Sequence, residues 1–163
     1  MATTVSNPEV GEDLLIATFQ LGGEDGFFGI DATVIQEVVM VGEITPVRHA
    51  PDYVAGIRNL RGRIITVIDL CVRLSLGSVQ IGSESRILIA DWKGEPVGLL
   101  VDSVADAVSV GAGDLESAPP NLHGLQMQKL LGVFRTGNRL AALLDLAAVL
   151  GADDRAAQPP SKE

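Results

Sequence analysis

The sequence predicts an all-β protein: two similar small five-stranded barrels sharing a core, with short helical segments and a C-terminal helix. One phrase occurs twice, as VAGIRNLRGRIITVIDL (54–70) and LLGVFRTGNRLAALLDL (130–146). Aligned, Gly56 falls on Gly132, Ile57 on Val133, Arg63 on Arg139, Val67 on Leu143 and Asp69 on Asp145. The second observation is a succession of short apolar runs, each ended by a glycine-bearing turn. The third is physical: strands this apolar invite edge-to-edge pairing, and a closed barrel removes the edges. Two copies with so long a period do not make a solenoid.

The elements follow in order. LLIATFQL (14–21) and FFGI (27–30) flank the turn cluster GGEDG and predict a hairpin. In DATVIQEVV (31–39), Asp31 caps a short helix that puts Val34, Ile35 and Val38 on one face. EITPVRHAPDYV, with two prolines, is an extended crossing segment. GIRNL and RIITVIDL, joined at the Arg61–Gly62 turn, form a second hairpin. Asp69 then caps the helical turn CVRLSL, which Gly77 stops. The second half repeats this order. RILIADW (86–92) and VGLLVD (97–102) pair through KGEP, and SVADAVSV takes the place of the helix-like segment. A loop with Pro119 and Pro120 leads to the second copy of the phrase and to a helix from Asp145 to Leu150, capped by Gly151.

Composition narrows the function. The 163 residues, 47% apolar, fit one domain or two small lobes with a common core. A net charge of −9 argues against general affinity for nucleic acid or anionic lipid, both polyanions. The single cysteine, Cys71, excludes an intrachain disulfide and a cysteine-rich zinc site. The start of the chain lacks the charged and apolar regions of a signal peptide, and no apolar run is long enough for a transmembrane helix. Cytoplasmic location is the expectation.

The residues that could carry chemistry are sparse. Asp69 and Asp145 could face each other between lobes, but each precedes leucine, without the Thr-Gly or Ser-Gly of aspartic proteases, and helix capping explains both. His49 and His123 sit in proline-flanked loops with no nucleophile elbow nearby. Cys71 reads as a packed side chain. Two histidines and one cysteine are too few for the usual zinc sets, and no phosphate-binding glycine motif occurs. The expectation is a protein without catalytic residues, metal or cofactor.

The two copies of the repeated phrase differ at the turn. The first has NLRG, whereas the second has Thr136 and Gly137 in place of Leu60 and Arg61. A turn that only closes a hairpin has little reason to differ. Asn59 suits a strand end and Gly62 the turn, and Arg61 can present a forked donor to a partner carboxylate.

FGIDATVIQEVV, ITPVRHAPDYVAGIRNLRGRIITVIDL and VGLLVDSVADAVSV together resemble the CheW-like chemotaxis coupling proteins. The likeness runs from about Leu14 to Leu150, with 51–70 the most specific stretch. It implies paired five-stranded SH3-like barrels and a non-enzymatic adaptor between two partners. These are the cytoplasmic tip of a methyl-accepting chemoreceptor and the regulatory domain of a CheA-type histidine kinase. Carried onto this chain, the partner-binding positions are Val34, Ile35, Glu37, Val38, Asn59, Leu60 and Arg61. No nucleic acid, cofactor or direct membrane insertion is implied. Arg48, Cys71 and Leu74 depart from the family's usual residues. They leave room for a paralogue serving twitching motility or surface sensing, and a small-molecule-binding double barrel is a further alternative. The expected organisation is a flexible segment over 1–12, one domain over 13–150 with lobes 13–80 and 81–150, and a flexible tail over 151–163.

Overall fold

The computed structural model describes residues 13–23, 26–117 and 129–151. The segment 1–12, the Pro119–Pro120 loop, His123 and the tail beyond Gly151 lie outside the described residues. The strands are β1 (Asp13–Gln20), β2 (Phe27–Asp31), β3 (Ile35–Met40), β4 (Val54–Leu60), β5 (Arg63–Asp69), β6 (Arg86–Trp92), β7 (Glu95–Val101), β8 (Ser103–Gly111), β9 (Leu130–Thr136) and β10 (Arg139–Leu144). Two short helices follow β5 and β10: α1 (Leu70–Arg73) and α2 (Leu146–Gly151). No helix among the described residues is long and apolar enough to cross a membrane.

The strands form two five-stranded sheets, ordered β8-β1-β2-β10-β9 and β3-β6-β7-β5-β4. This corrects the expected lobes 13–80 and 81–150. One barrel is continuous, built from β3 to β7. The other is split, with β1 and β2 joined to β8, β9 and β10. The repeat is real at the level of hairpins. What it cannot encode is which copy a hairpin meets, and here each sheet takes one hairpin from each half. The joins are two parallel pairs. Ala142 and Leu143 of β10 lie beside Phe28 and Gly29 of β2. Thr66 to Asp69 of β5 lie beside Val97 to Leu100 of β7.

Each sheet is closed by a short bridge. Beyond β3, Thr45 exchanges two backbone hydrogen bonds with Ile57 of β4, at 2.9 and 2.8 Å. Beyond β8, Glu116 does the same with Val133 of β9, both at 2.8 Å. The repeated glycines make these contacts possible. A Cβ on Gly56 would stand 2.3 Å from the Thr45 carbonyl oxygen, and one on Gly132 2.6 Å from that of Glu116.

Central strands are buried on both faces, which explains their nearly continuous apolar runs. On β10, Ala141 and Leu143 fill the split barrel with Ile16, Phe27, Val110 and Phe134. Ala142 and Leu144 face a larger cluster shared with the continuous barrel, which includes Phe19, Phe28, Ile68, Leu88 and Leu99. Burying each Leu, Ile or Phe contributes about 1.5–3 kcal/mol, so the shared core ties the barrels into one unit.

The capping aspartates behave as expected. Asp145 Oδ1 accepts from the Ala147 and Ala148 amides at 3.1 and 3.3 Å. Asp69 Oδ1 accepts from Val72 N at 3.2 Å, while Oδ2 accepts from Val79 N at 3.1 Å and pins the following loop. Cys71 is fully buried, and burial first, then Asp102 and Asp69, push its thiol up to about 12.

The helix expected within 31–39 is mostly strand, and so is the segment that takes its place in the second half. Asp31 caps only a single 3-10 turn, Ala32–Val34, accepting from Thr33 N at 2.9 Å. β3 then begins at Ile35. SVADAVSV is the body of β8.

Candidate functional site

All seven candidate partner-binding residues lie in the continuous barrel or at the turn entering it. Because β3 is a strand, its side chains alternate, with Ile35, Glu37 and Val39 half-buried and Gln36, Val38 and Met40 exposed. Val34 and Val38 therefore do not share a helical face. Val34 and Ile35 pack against the margin of the shared core. Val38 is 45% exposed and Met40 66%. Val38 stands opposite Leu88 of β6, a fully buried residue of the shared core. The exposed pair thus marks where that core reaches the surface.

The β4–β5 hairpin supplies the polar half. Leu60 pairs with Arg63, leaving a two-residue loop of Arg61 and Gly62. Both have positive φ, 54° and 89°, the requirement of a type I′ turn, whose twist matches the flanking strands. Asn59 secures it by accepting from Gly62 N at 2.9 Å. Leu60 anchors it against the core. Arg61 Nη2 donates to Glu37 Oε2, an ion pair linking the hairpin tip to β3. Both side chains remain solvent-accessible, so the pair contributes about 0–1 kcal/mol to stability. Its effect is to tie the hairpin tip to β3 through the face of that strand opposite Val38.

Positive φ does not by itself single out Arg61. Lys93, at the β6–β7 tip, has the same φ of 54° before Gly94. What distinguishes Arg61 is its bond to another strand. In the split barrel the position equivalent to Arg61 is Gly137, which has no side chain to reach across. Sequence reasoning missed Met40; the alternation of β3 was the available signal. It also missed Arg58. Arg58 Nη1 is buried without a hydrogen-bond partner.

The barrel interiors are filled by side chains such as Phe134, Leu143, Ile65 and Val67, as is usual for small barrels. A half-open pocket of about 260 Å³ lies on the split barrel beside Asp114, Glu116, Arg135 and Leu140.

The CheW-like domain family matches residues 16–154. The chain belongs to that family. It is 31% identical over 147 residues to a chemotaxis protein CheW from Klebsiella aerogenes, covering 90% of this chain and 86% of that one. A chemotaxis protein CheW from Treponema pallidum is 33% identical over 139 residues, covering 83% and 81%. The crystal structure of the scaffolding protein TtCheW from Thermoanaerobacter tengcongensis superposes with a TM-score of 0.75 at 30% identity, covering 84% of this chain and 87% of that one. The paired five-stranded sheets are thus the SH3-like barrels of a CheW-like protein, and the chain is a non-enzymatic adaptor of that family.

Proposed function

We propose that this CheW-like adaptor works in the cytoplasm, joining the cytoplasmic tip of a methyl-accepting chemoreceptor to the regulatory domain of a CheA-type histidine kinase at membrane-associated receptor arrays. Family membership supports the class of partner. The observation that carries the choice of surface is the Glu37–Arg61 pair, which ties the hairpin tip to β3, the strand whose other face exposes Val38 and Met40. Val34, Ile35 and Leu60 support that surface from beneath, and Asn59 fixes the turn that presents Arg61. A receptor tip is a helical bundle, and an apolar helix face fits a short apolar strip. The kinase contact belongs at least in part to the split barrel, where Leu131 and Leu140 are exposed.

Co-sedimentation with receptor tip and kinase tests this reading. Arg61→Ala should fold as well as the wild type, because it loses only an exposed ion pair. It should fail to assemble the three components, since an interface arginine can contribute about 2 kcal/mol or more. Arg63→Ala, whose counterpart Arg139 exists in the other barrel, should do less. Normal assembly by Arg61→Ala would sink the proposal.

A further inference from the structure

Arg58 occupies a position that the other barrel gives to a core residue. On β4, Arg58 pairs with Ile65; on β9, Phe134 pairs with Ala141, and both strands take their closing bridge one residue earlier, at Ile57 and Val133. The two positions are therefore equivalent in register. Phe134 is buried and helps fill the split barrel. The continuous barrel places a guanidinium there instead and leaves it half-buried.

That guanidinium is seated but unsatisfied. Gly42, with φ of 62°, lies directly beneath it, and a Cβ at Gly42 would come within 2.6 Å of Arg58 Nε and 2.7 Å of Nη2. Only a glycine leaves room for this placement. Nη1 is buried and donates to no acceptor, and among the described residues the Arg58 side chain has no hydrogen bond or ion pair. Arginine carries five donors and no acceptor. A desolvated donor without an acceptor destabilises the free fold, and a phenylalanine or leucine would avoid that penalty. The position is two residues before Leu60, on the hairpin whose tip pairs with Glu37.

We propose that Arg58 is a specificity-determining residue for the receptor partner, receiving an acidic side chain from the docked tip. This rests on the proposed receptor contact and deepens it. The neighbouring Arg61 is already neutralised by Glu37; Arg58 is the cation on this hairpin held in place, partly desolvated and without a counter-charge. A carboxylate brought in by the partner meets the solvent-reachable edge of the half-buried guanidinium with a charge-assisted bond and supplies the missing counter-charge. A partner offering a basic or purely apolar residue there leaves the charge buried beneath the interface, and is rejected.

The test uses the full chain with a soluble receptor-tip fragment, measuring affinity at low and high salt beside a urea melt. Arg58→Leu and the polar, uncharged Arg58→Gln should keep or raise the urea midpoint. Both should bind the tip about thirty-fold more weakly or worse, with a shallower salt dependence. Arg58→Glu should bind worse still, and a Glu→Lys or Asp→Lys change on the tip should recover its binding. Arg61→Ala serves as the control for the receptor site itself. If Arg61→Ala binds normally, the receptor reading fails. If Arg61→Ala loses binding while Arg58→Leu and Arg58→Gln bind like wild type, the Arg58 inference alone fails. A loss of binding by both variants that tracks a fallen urea midpoint also overturns it, since Arg58 would then be structural.

Discussion

Gly56→Ala should open the continuous barrel. The added Cβ would lie 2.3 Å from the Thr45 carbonyl oxygen and 2.8 Å from Ile44 Cγ2, so the bridge must separate. Two backbone hydrogen bonds of 2.9 and 2.8 Å are then lost, at about 0.5–1.5 kcal/mol each. The φ of 151° at Gly56 adds strain for any residue with a Cβ, of about 1–3 kcal/mol. The expected loss in a urea melt is about 2–6 kcal/mol in all. Gly62→Ala is the matched control. Its φ is 89° and a Cβ there meets nothing within 4 Å, so it carries strain alone, about 1–3 kcal/mol. The difference between the two isolates the closing bridge. Equal losses would refute the claim that Gly56 exists to let Thr45 and Ile57 pair. Gly132→Ala should behave like Gly56→Ala, because the same construction closes the split barrel at Glu116 and Val133.

Val38→Asp should lower the melting midpoint little, since the side chain is 45% exposed, while abolishing receptor-tip binding; collapse of both would return Val38 to the core. The fragment 1–80 should show no cooperative unfolding transition, because it lacks strands of both sheets; a sharp calorimetric transition would contradict the described topology. Arg73→Ala should cost about 1–3 kcal/mol in a denaturant melt, because Arg73 Nε donates to the Val149 carbonyl at 2.7 Å and its guanidinium stacks on Tyr53; an unchanged midpoint would show that α2 is held without it. Cys71 ionises more readily unfolded, near 9.0, than folded, near 12. The stability this contributes is complete below the unfolded value of 9.0 and is lost as pH rises toward 12. Cys71→Ala should flatten that alkaline limb in pH-dependent melts, and an identical limb in the variant would assign it to other groups.

The hairpins are legible in the sequence because each is local. Apolar runs on either side of Lys93–Gly94 or Arg61–Gly62 carry their own turn chemistry. β3 and β8 escape a sequence reading for an identifiable reason. Val34, Ile35 and Val38 satisfy helical spacing, while the partners that make 35–40 a strand, Arg86 to Ala90, lie far along the chain. The assignment of hairpins to barrels is equally hidden, because similar copies present similar edges and only parallel pairing over long separations decides between them. At the site, the turn formed by Asn59, Arg61 and Gly62 can be read from residue type. Glu37 is singled out by likeness to the family, whereas spacing alone does not bring it within reach of the hairpin tip. Arg58 carries a signal of its own: in the aligned repeat it falls opposite Phe134.

The nesting of one barrel inside the other sets an order of events during synthesis. Strands β3 to β7 leave the ribosome as an uninterrupted block and contain every pairing their own sheet needs. β1 and β2 emerge before them but must wait for β8, β9 and β10, the last strands of the two sheets to be made. A chain cut short before β8 therefore carries every strand of one sheet but only two of the other, and Phe19 and Phe28 lack the strands that complete their sheet. Only a chain translated to its final strands has both barrels, so under the proposed bridging role completeness of the chain precedes function.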